Sequence, residues 1–359
     1  MALRIGVNAR TFAEPEPGGA IQSAKNLIQK ISNNYDGETI LFGHQSINNE
    51  FPENEVISNF CWNKSQILGV LWERAILPKL ARRKGIDILL NPNGNAPLTS
   101  QPYRVITIIH DINALKGYSS GVHQLYRKVT VPRTVKISDK IVTVSEFSKK
   151  EIQNNINIPE DKIEVVYNGV DDFYLENSDS DEFDLPDKYV LYVGALNPRK
   201  NISGSIKSFH EFCQRHKTGH KFVIIGPGNK MVFKQMDLPE GENVITPGFL
   251  SKPELKYAYE NADLFIYPSL YEGFGLPPLE AAACGTPVLV SNRPPFTELF
   301  DKESAVFVNP DSVKSISEGI SGVLLNNKKR QAIANSAQKS AQKWTWERAA
   351  TDMAKILGL

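Results

Sequence analysis

Residues 263–291, DLFIYPSLYEGFGLPPLEAAACGTPVLVS, decide the fold. The apolar residues at the start of this stretch predict a buried strand, which leads into a loop that contains two glycines. Pro277 and Pro278 favour the first turn of a short helix, Gly285 ends that helix, and residues 287–291 form the next apolar run. A strand, a glycine loop, a helix and a second strand are the repeating unit of a parallel α/β sheet.

The same alternation extends over almost the whole chain, which predicts an α/β fold. Strands are predicted at 3–8, 39–43, 86–90, 105–110, 140–144, 163–166, 189–193, 221–226, 243–245, 263–267 and 287–291. Helices are predicted at 20–32, 66–83, 122–137, 146–155, 202–215, 253–260 and 277–284. Ser145 and the capping box Ser251-Lys-Pro-Glu254 mark two of the helix starts.

The chain is long enough, at 359 residues, for two domains with separate cores. Residues 173–188 are acidic, lack helical or strand periodicity, and are predicted to be the linker. Residues 1–172 and residues 189–343 would then form an N-terminal and a C-terminal α/β domain. Two such units imply a cleft between them, and open parallel sheets bind ligands beyond the carboxyl ends of their strands.

Composition and charge exclude several classes of protein. The 41 basic and 40 acidic residues give a net charge of +1, so no general attraction to nucleic acid is expected. The three cysteines lie far apart, which favours neither a disulfide framework nor a zinc site. The N-terminus lacks a secretory pattern, and no apolar run is long enough to span a membrane. The expected location is therefore the cytoplasm.

Charge is distributed unevenly along the chain. Residues 60–150 carry an excess of ten positive charges, and residues 151–190 an equal excess of negative charges. Within the basic block, residues 66–84 are apolar on one side and end in three cations, a pattern that suits peripheral contact with anionic lipid. The alternative is that this helix packs on the sheet and that its cations complement the helix dipole.

The glycine loop at 273–275 and the helix start that follows it predict an anion site. Glycine lets the backbone approach a ligand closely, and the first N–H groups of a helix attract phosphate. Glu272 and Glu280 flank this site, where a carboxylate has a use if it accepts hydrogen bonds from sugar hydroxyls. For Glu280 the alternative is that it only complements the helix dipole.

The Glu-x7-Glu spacing from Glu272 to Glu280, followed by AAACGTPV, resembles the donor-binding motif of the retaining glycosyltransferases of family 4. Similar segments occur in the same order elsewhere: Gly18-Gly19, His110-Asp111, residues 144–146, 168–171, 193–201 and 344–348. The resemblance implies the GT-B fold, in which two Rossmann-like domains face a cleft. It implies that the domain of residues 1–172 binds the acceptor and that the domain of residues 189–343 binds the nucleotide-sugar donor. It also implies that a C-terminal helix, within residues 344–359, crosses back to the first domain.

The resemblance also implies the roles of residues in the motif. Glu280 would bind the ribose of a nucleotide sugar, and Glu272 would contact the transferred sugar. Backbone N–H groups of the loop would hold sugar and phosphate; its residues are Gly273, Phe274, Gly275 and Leu276.

Three further positions follow from the resemblance and from their places near strand ends. His110 ends an apolar strand, and it is expected to face the donor sugar as a catalytic residue with Glu272. Gly18 and Gly19 would close over the donor phosphate, with a simple turn before a helix as the alternative.

Arg199 and Lys200 follow a predicted strand, where two cations can neutralise a diphosphate. The alternative is an exposed basic turn. Many family members carry an arginine where this chain has Ala195, so Arg199 is the candidate substitute for that missing cation.

The predicted function is that of a metal-independent, retaining hexosyltransferase. Its donor would be a nucleotide sugar, with GDP-mannose preferred over UDP-sugars and dTDP-rhamnose. Its acceptor would be a glycan or a lipid-linked saccharide, and no cofactor is expected.

Three alternatives remain. A sugar-nucleotide epimerase of the same fold and a non-catalytic nucleotide-sugar binder would use the same donor site. A nicotinamide dehydrogenase is suggested only by Gly226-x-Gly228, because Met231 occupies the place of the third glycine in that fingerprint.

Overall fold

The computed structural model describes residues 3–14, 18–35, 37–58, 66–97, 99–113, 115–116, 121–176, 181–226 and 243–359. Gly228 and Met231, on which the dehydrogenase alternative depends, lie outside these residues. The chain divides into two compact units: residues 1–169 together with 346–359, and residues 170–345.

The first unit contains a parallel sheet of seven strands, with helices formed by the segments between them. In chain order the strands are β1 (Arg4–Asn8), β2 (Glu38–Phe42), β3 (Glu55–Ile57), β4 (Ile88–Asn91), β5 (Arg104–Ile108), β6 (Lys140–Thr143) and β7 (Ile163–Val165). Their order across the sheet is β3-β2-β1-β4-β5-β6-β7. The sequence pattern missed β3, a three-residue edge strand whose side chains are not buried and which therefore lacks an apolar run.

The described helices of the first unit are Gly19–Asn34, Gln66–Leu71, Leu77–Arg83, Gly121–Ile137, Glu146–Asn155 and Trp346–Leu357. The predicted start at Ser145 is confirmed, because its side chain accepts a hydrogen bond from the N–H of Ser148. A π-helical turn, Trp72–Ile76, interrupts the helix that was predicted as continuous over 66–83. Pro78 lacks the N–H that would bond to the carbonyl of Arg74 in a regular helix, which accounts for the interruption.

The C-terminal helix Trp346–Leu357 belongs to the first unit, as expected. Its residues Ala350, Met353 and Leu357 are buried in the same apolar core as Leu27 and Ile28 of the helix Gly19–Asn34. At the end of the C-terminal helix, the backbone carbonyls of Leu357 and Ile356 accept hydrogen bonds from Arg104, at 2.9 and 3.0 Å.

The second unit contains a parallel sheet of six strands in the order β10-β9-β8-β11-β12-β13. The strands are β8 (Tyr189–Val193), β9 (Lys221–Ile225), β10 (Val244–Gly248), β11 (Leu264–Tyr267), β12 (Val288–Ser291) and β13 (Val306–Val308). Its described helices are Asp172–Leu175, Ile202–Arg215, Lys252–Glu260, Leu276–Ala283, Phe296–Leu299, Val313–Leu324 and Asn327–Ala341. The capping box at Ser251 and Glu254 is present as predicted.

Part of the predicted linker is ordered against the second unit. Asp171 caps the short helix Asp172–Leu175, which lies partly inside the segment 173–188. Tyr174 of this helix is buried, and its ring meets Tyr259 edge to face at 5.8 Å between centroids. The acidic composition concealed this anchor, because a single aromatic residue produces no periodic pattern.

Candidate functional site

The candidate site of the second unit lies where the strand order reverses. Strands β8 and β11 are neighbours although β9 and β10 lie between them in the chain. In doubly wound sheets the carboxyl ends of two such strands form a binding crevice. The loops that follow β8 and β11 carry Arg199, Lys200 and Glu272.

Asn201 ties these two loops together. It follows the 3-10 turn Pro198–Lys200 and adopts the left-handed backbone conformation, with φ of 56°. Its side-chain amide donates to the carbonyls of Pro268 at 3.1 Å and Pro310 at 2.7 Å. The N–H of Leu270 also donates to the carbonyl of Arg199 at 2.8 Å. The positions of both cations are therefore fixed relative to the loop after β11.

Glu272 is buried and makes four polar contacts. Its Oε2 atom lies 2.7 Å from the guanidinium of Arg199. Its Oε1 atom accepts hydrogen bonds from Tyr267 and Ser269, both at 3.1 Å, and lies 3.9 Å from Nζ of Lys200. Burial opposes ionisation, but the charges of Lys200 and Arg199 outweigh it and hold the pKa of Glu272 below its usual value. Glu272 is therefore a carboxylate at neutral pH.

Arg199 and Lys200 contact this carboxylate in different ways. The Arg199 guanidinium also donates to the carbonyl of Tyr271 at 2.7 Å, so it braces the chain on the N-terminal side of Glu272 as well as the carboxylate itself. Nζ of Lys200 donates to the hydroxyl of Tyr267 at 2.5 Å. Burial raises the pKa of Tyr267 well above its usual value, so the phenol stays protonated. Its hydroxyl accepts from Lys200 and donates to Glu272.

Gly275 begins the helix Leu276–Ala283 with a backbone that L-residues rarely adopt. Its φ is 116°, and a Cβ atom at this position would lie 2.6 Å from the ring of Phe296. Pro277 and Pro278 have no N–H, so the amide of Leu276 is the one donor among the first three helical residues. In the first turn of this helix, the predicted anion site therefore has one N–H donor, that of Leu276, together with the glycine loop before it.

Glu280 lies one turn into the same helix. Its carboxylate accepts a hydrogen bond from Tyr259 at 2.9 Å. Burial raises the pKa of Glu280 to about 7; the Tyr259 hydrogen bond opposes this shift and the nearby charge of Asp171 adds to it. The Glu280 carboxyl therefore changes its ionisation near neutral pH, and its ability to accept hydrogen bonds from ligand hydroxyls changes with it.

Gly18, Gly19 and His110 belong to the first unit. Gly18 precedes the helix Gly19–Asn34 with an ordinary extended backbone, and a Cβ on either glycine would meet no described atom within 4 Å. Packing within the described residues therefore does not require glycine at these positions. His110 follows β5, and its Nε2 donates to the carbonyl of Pro92 at 3.2 Å. A carbonyl can only accept a hydrogen bond, so this contact requires a proton on Nε2.

The structure thus places eight of the predicted site residues in the second unit, and contacts join three of them, Arg199, Lys200 and Glu272. The other five are Gly273, Phe274, Gly275, Leu276 and Glu280. Tyr267, Ser269 and Tyr259 support Glu272 and Glu280 and were not predicted. For Tyr267 a sequence signal existed, because it is a hydroxyl-bearing residue at the end of a buried apolar strand. Tyr259 lies on a separate helix, and no local pattern relates it to Glu280.

A buried polar cluster at the carboxyl ends of β1 and β4 was also missed. Glu73 lies 3.0 Å from Nε of Arg10 and accepts hydrogen bonds from Asn8 at 3.1 Å and Asn95 at 2.9 Å. Glu73 comes from the interrupted helix, and the sequence alone gave no sign that its side chain turns inward. Among the described residues, no group of three or more His, Cys, Asp or Glu side chains is arranged to hold a metal ion.

Two doubly wound α/β units of this kind define the GT-B class of fold. Two family models cover most of the chain: the model described as Glycosyltransferase Family 4 matches residues 17–172, and the model described as Glycosyl transferases group 1 matches residues 175–340. The chain therefore belongs to the glycosyltransferases that these two models describe.

Curated relatives include mannosyltransferases. The O-antigen chain mannosyltransferase RfbU of Salmonella typhimurium is 34% identical over 60% of this chain and 59% of its own. The O-antigen chain mannosyltransferase B of Escherichia coli is 28% identical over 69% and 68%. The N-acetylgalactosamine-N,N'-diacetylbacillosaminyl-diphospho-undecaprenol 4-alpha-N-acetylgalactosaminyltransferase of Campylobacter jejuni is 25% identical over 95% of this chain and 96% of its own. The match to RfbU thus spans about three fifths of that relative's length.

Solved structures agree on the fold. A sucrose-phosphate synthase from Thermosynechococcus elongatus matches 99% of this chain and 98% of its own with a TM-score of 0.75, at 15% identity. The Anabaena protein HepE, solved in complex with UDP-glucose, matches 99% of both chains with a TM-score of 0.75, at 17% identity.

Proposed function

We propose that this protein is a retaining hexosyltransferase that moves a sugar from a nucleotide-sugar donor to a hydroxyl of a glycan or a lipid-linked saccharide. The observation that carries the proposal is the cluster of Arg199, Lys200 and Glu272 beside the glycine-capped helix, at the strand-order reversal of the second unit. This cluster combines a fixed cation and a helix amide for a diphosphate with a buried carboxylate for sugar hydroxyls.

Each group has a distinct role in donor binding. Lys200 and the amide of Leu276 bind the diphosphate, and Glu280 accepts hydrogen bonds from the ribose. Glu272 accepts hydrogen bonds from the transferred sugar. Arg199 is already bonded to Glu272 and Tyr271, so its charge acts mainly by fixing the Glu272 carboxylate. Fixing Glu272 is a role of Arg199 that the sequence did not suggest, and it comes in addition to the expected neutralisation of the diphosphate.

The reaction exchanges one bond at the anomeric carbon for another. The bond from this carbon to the leaving phosphate oxygen breaks, and the acceptor oxygen forms the new glycosidic bond on the same face. The acceptor hydroxyl gives its proton to the departing phosphate. Lys200 and the helix amide stabilise the negative charge that develops on the diphosphate, and Glu272 orients the sugar without attacking it.

The relatives support a preferred donor and acceptor class. GDP-mannose is the first choice, because two of the relatives described above are named as mannosyltransferases. The relative that matches nearly the whole chain is named for an undecaprenol-linked saccharide, which supports a lipid-linked acceptor. His110, Gly18 and Gly19 remain predicted participants from the first unit, and activity without a metal ion remains a prediction.

A donor screen tests the proposal. Purified protein is incubated with GDP-mannose, UDP-sugars or dTDP-rhamnose, with and without saccharide acceptors and with and without EDTA. We expect acceptor-dependent release of one nucleoside diphosphate, retention of anomeric configuration by NMR, and no effect of EDTA. Isomerised donor without acceptor would instead identify an epimerase. Donor binding without turnover on any acceptor would identify a non-catalytic binder.

Donor affinity is expected to depend on pH through Glu280. Ribose hydroxyls donate to the carboxylate, so affinity should fall by about tenfold as the pH falls from one unit above the Glu280 pKa of about 7 to one unit below it. Glu280→Gln should bind the donor about tenfold more weakly at high pH and lose this pH dependence. Titration calorimetry across this range measures both effects.

Thermal unfolding provides an independent readout for the same variant. Because the folded-state pKa of Glu280 lies above its ordinary value of 4.5, ionised Glu280 costs stability, and this cost grows as the pH rises from about 4.5 through 7. The Tm of Glu280→Gln should therefore increase relative to that of the wild type as the pH rises. The exposed control Glu303→Gln should show the same Tm as the wild type at every pH. If Glu280→Gln also showed the wild-type Tm at every pH, the Glu280 carboxylate would be solvated and its assignment as a buried acid would be wrong.

A further inference from the structure

The interrupted helix of the first unit has an exposed face with two chemically different halves. We call this face the 68–83 stripe. Its N-terminal half is apolar: Leu68, Leu71 and Ile76 are 42%, 57% and 38% exposed, and Ala75 is exposed between them. Its C-terminal half is cationic, with exposed Lys79, Arg82 and Arg83. Large exposed apolar side chains grouped on one face mark an interaction surface.

The opposite face of the helix accounts for its packing. Trp72, Leu77 and Ala81 are buried in an apolar core with Leu89 and Val105 of the sheet. These buried residues account for packing on the sheet, which was the alternative to lipid contact. The residues of the stripe do not belong to this buried core.

The single acid of this segment points away from the stripe. Glu73 is the only Asp or Glu between residues 66 and 84, and it is 2% exposed. Inside the first unit, its carboxylate contacts Arg10, Asn8 and Asn95. Glu73 lies in the π-helical turn Trp72–Ile76, which also contains Ala75 and Ile76 of the apolar half. The stripe therefore carries positive charge that no acid of its own helix offsets.

An apolar half followed by a cationic half is complementary to the surface of an anionic bilayer. Apolar side chains enter the boundary between headgroups and acyl chains, while lysine and arginine remain among the headgroups. Across the described residues, no helix combines the length and apolar character that a membrane span requires. A helix lying in the plane of the surface needs neither.

We propose that the 68–83 stripe docks this protein on an anionic lipid surface. Leu68, Leu71 and Ile76 insert at the level of the acyl boundary, and Lys79, Arg82 and Arg83 bind lipid phosphates. The stripe belongs to the first unit and the donor residues belong to the second, so separate variants test docking and donor binding.

Flotation with vesicles tests the proposal on the full chain. Vesicles of equal parts phosphatidylcholine and phosphatidylglycerol are compared with vesicles of phosphatidylcholine alone. We expect binding to the anionic vesicles that weakens as salt is raised. The variant Lys79→Gln/Arg82→Gln/Arg83→Gln should lower the partition coefficient by about 100-fold, and Leu71→Ser by about fivefold.

Matched variants in the second unit serve as controls. Leu325→Ser removes an apolar side chain that is 52% exposed, and Lys314→Gln/Lys328→Gln/Lys329→Gln removes three exposed cations. Both should bind vesicles as the wild type does. Calorimetric titration with the nucleoside diphosphate should be unchanged in every variant, which separates failure of this proposal from failure of the proposed function.

Three outcomes would overturn the proposal. The first is that the wild type binds neither kind of vesicle. The second is that stripe and control variants lose binding equally. The third is that the cation variant loses binding while Leu71→Ser retains it fully, which would identify a general polyanion surface without apolar insertion.

Discussion

Replacing Lys200 by alanine is expected to lower kcat/KM for glycosyl transfer by about 100- to 1,000-fold. Nζ of Lys200 is held by Tyr267 at 2.5 Å, beside the loop where the leaving diphosphate is proposed to bind. Removing this fixed charge leaves the developing negative charge of the leaving group less stabilised. The variant should also bind the free nucleoside diphosphate at least tenfold more weakly, because this product carries the two phosphates that Lys200 is proposed to contact in the donor.

The control for this prediction is Lys207→Ala, which removes an exposed lysine from the next helix of the same unit. It should retain wild-type activity and affinity. The assignment of Lys200 to the diphosphate would be wrong if the Lys200 variant lost turnover but bound the nucleoside diphosphate as tightly as the wild type does.

Glu272→Gln is expected to lower kcat by a similar factor, about 100- to 1,000-fold, with a different binding signature. Glutamine keeps the size and one acceptor oxygen, but it lacks the charge that orients sugar hydroxyls. Because Glu272 is assigned to the sugar, affinity for the free nucleoside diphosphate should change little. Steady-state kinetics combined with calorimetric titration of the sugar-free nucleotide separates this variant from Lys200→Ala.

Stability measurements on the same variant test the buried ion pair. Removing one partner of a buried pair costs about 3–5 kcal/mol in other proteins, so Glu272→Gln should unfold at lower urea concentration. Arg199→Gln/Glu272→Gln should cost less than the sum of the single variants, because neither charge is then left unpaired. Additive losses would contradict the assignment of Arg199 as the group that holds Glu272. The exposed control Glu318→Gln should behave as the wild type.

The fold was predictable because it rests on local patterns. Buried parallel strands such as β8 and β11 are continuous apolar runs, and turn residues bound them. No element was predicted between residues 292 and 343, so the helices Val313–Leu324 and Asn327–Ala341 were missed although the first has a buried apolar face. Three other missed elements are short. β3 and β13 have three residues each, and the helix Asp172–Leu175 lies within an acidic segment.

The candidate site was predictable only in part. Glu272, Gly275 and Glu280 belong to one contiguous motif, and their resemblance to a family identified them together. The ion pair of Arg199 with Glu272 joins residues 73 positions apart in the chain, and no periodicity encodes it. The same holds for Tyr259 and Glu280, which come from different helices.

The inward turn of Glu73 shows the limit of helical patterns. A regular helix over 66–83 gave an amphipathic outline but no reason for an acid to face the core. The π-helical turn and the partners Arg10, Asn8 and Asn95 supply that reason. Such partners come from separate segments of the chain and are visible only in the folded structure.

Calorimetric titration of wild type and Lys200→Ala with GDP, UDP and dTDP, each beside its monophosphate, tests the central claim most directly. We expect one diphosphate to bind the wild type at least tenfold more tightly than its monophosphate, and this difference to disappear in Lys200→Ala. Binding of no nucleoside diphosphate, or equal binding of diphosphate and monophosphate to the wild type, would contradict the account.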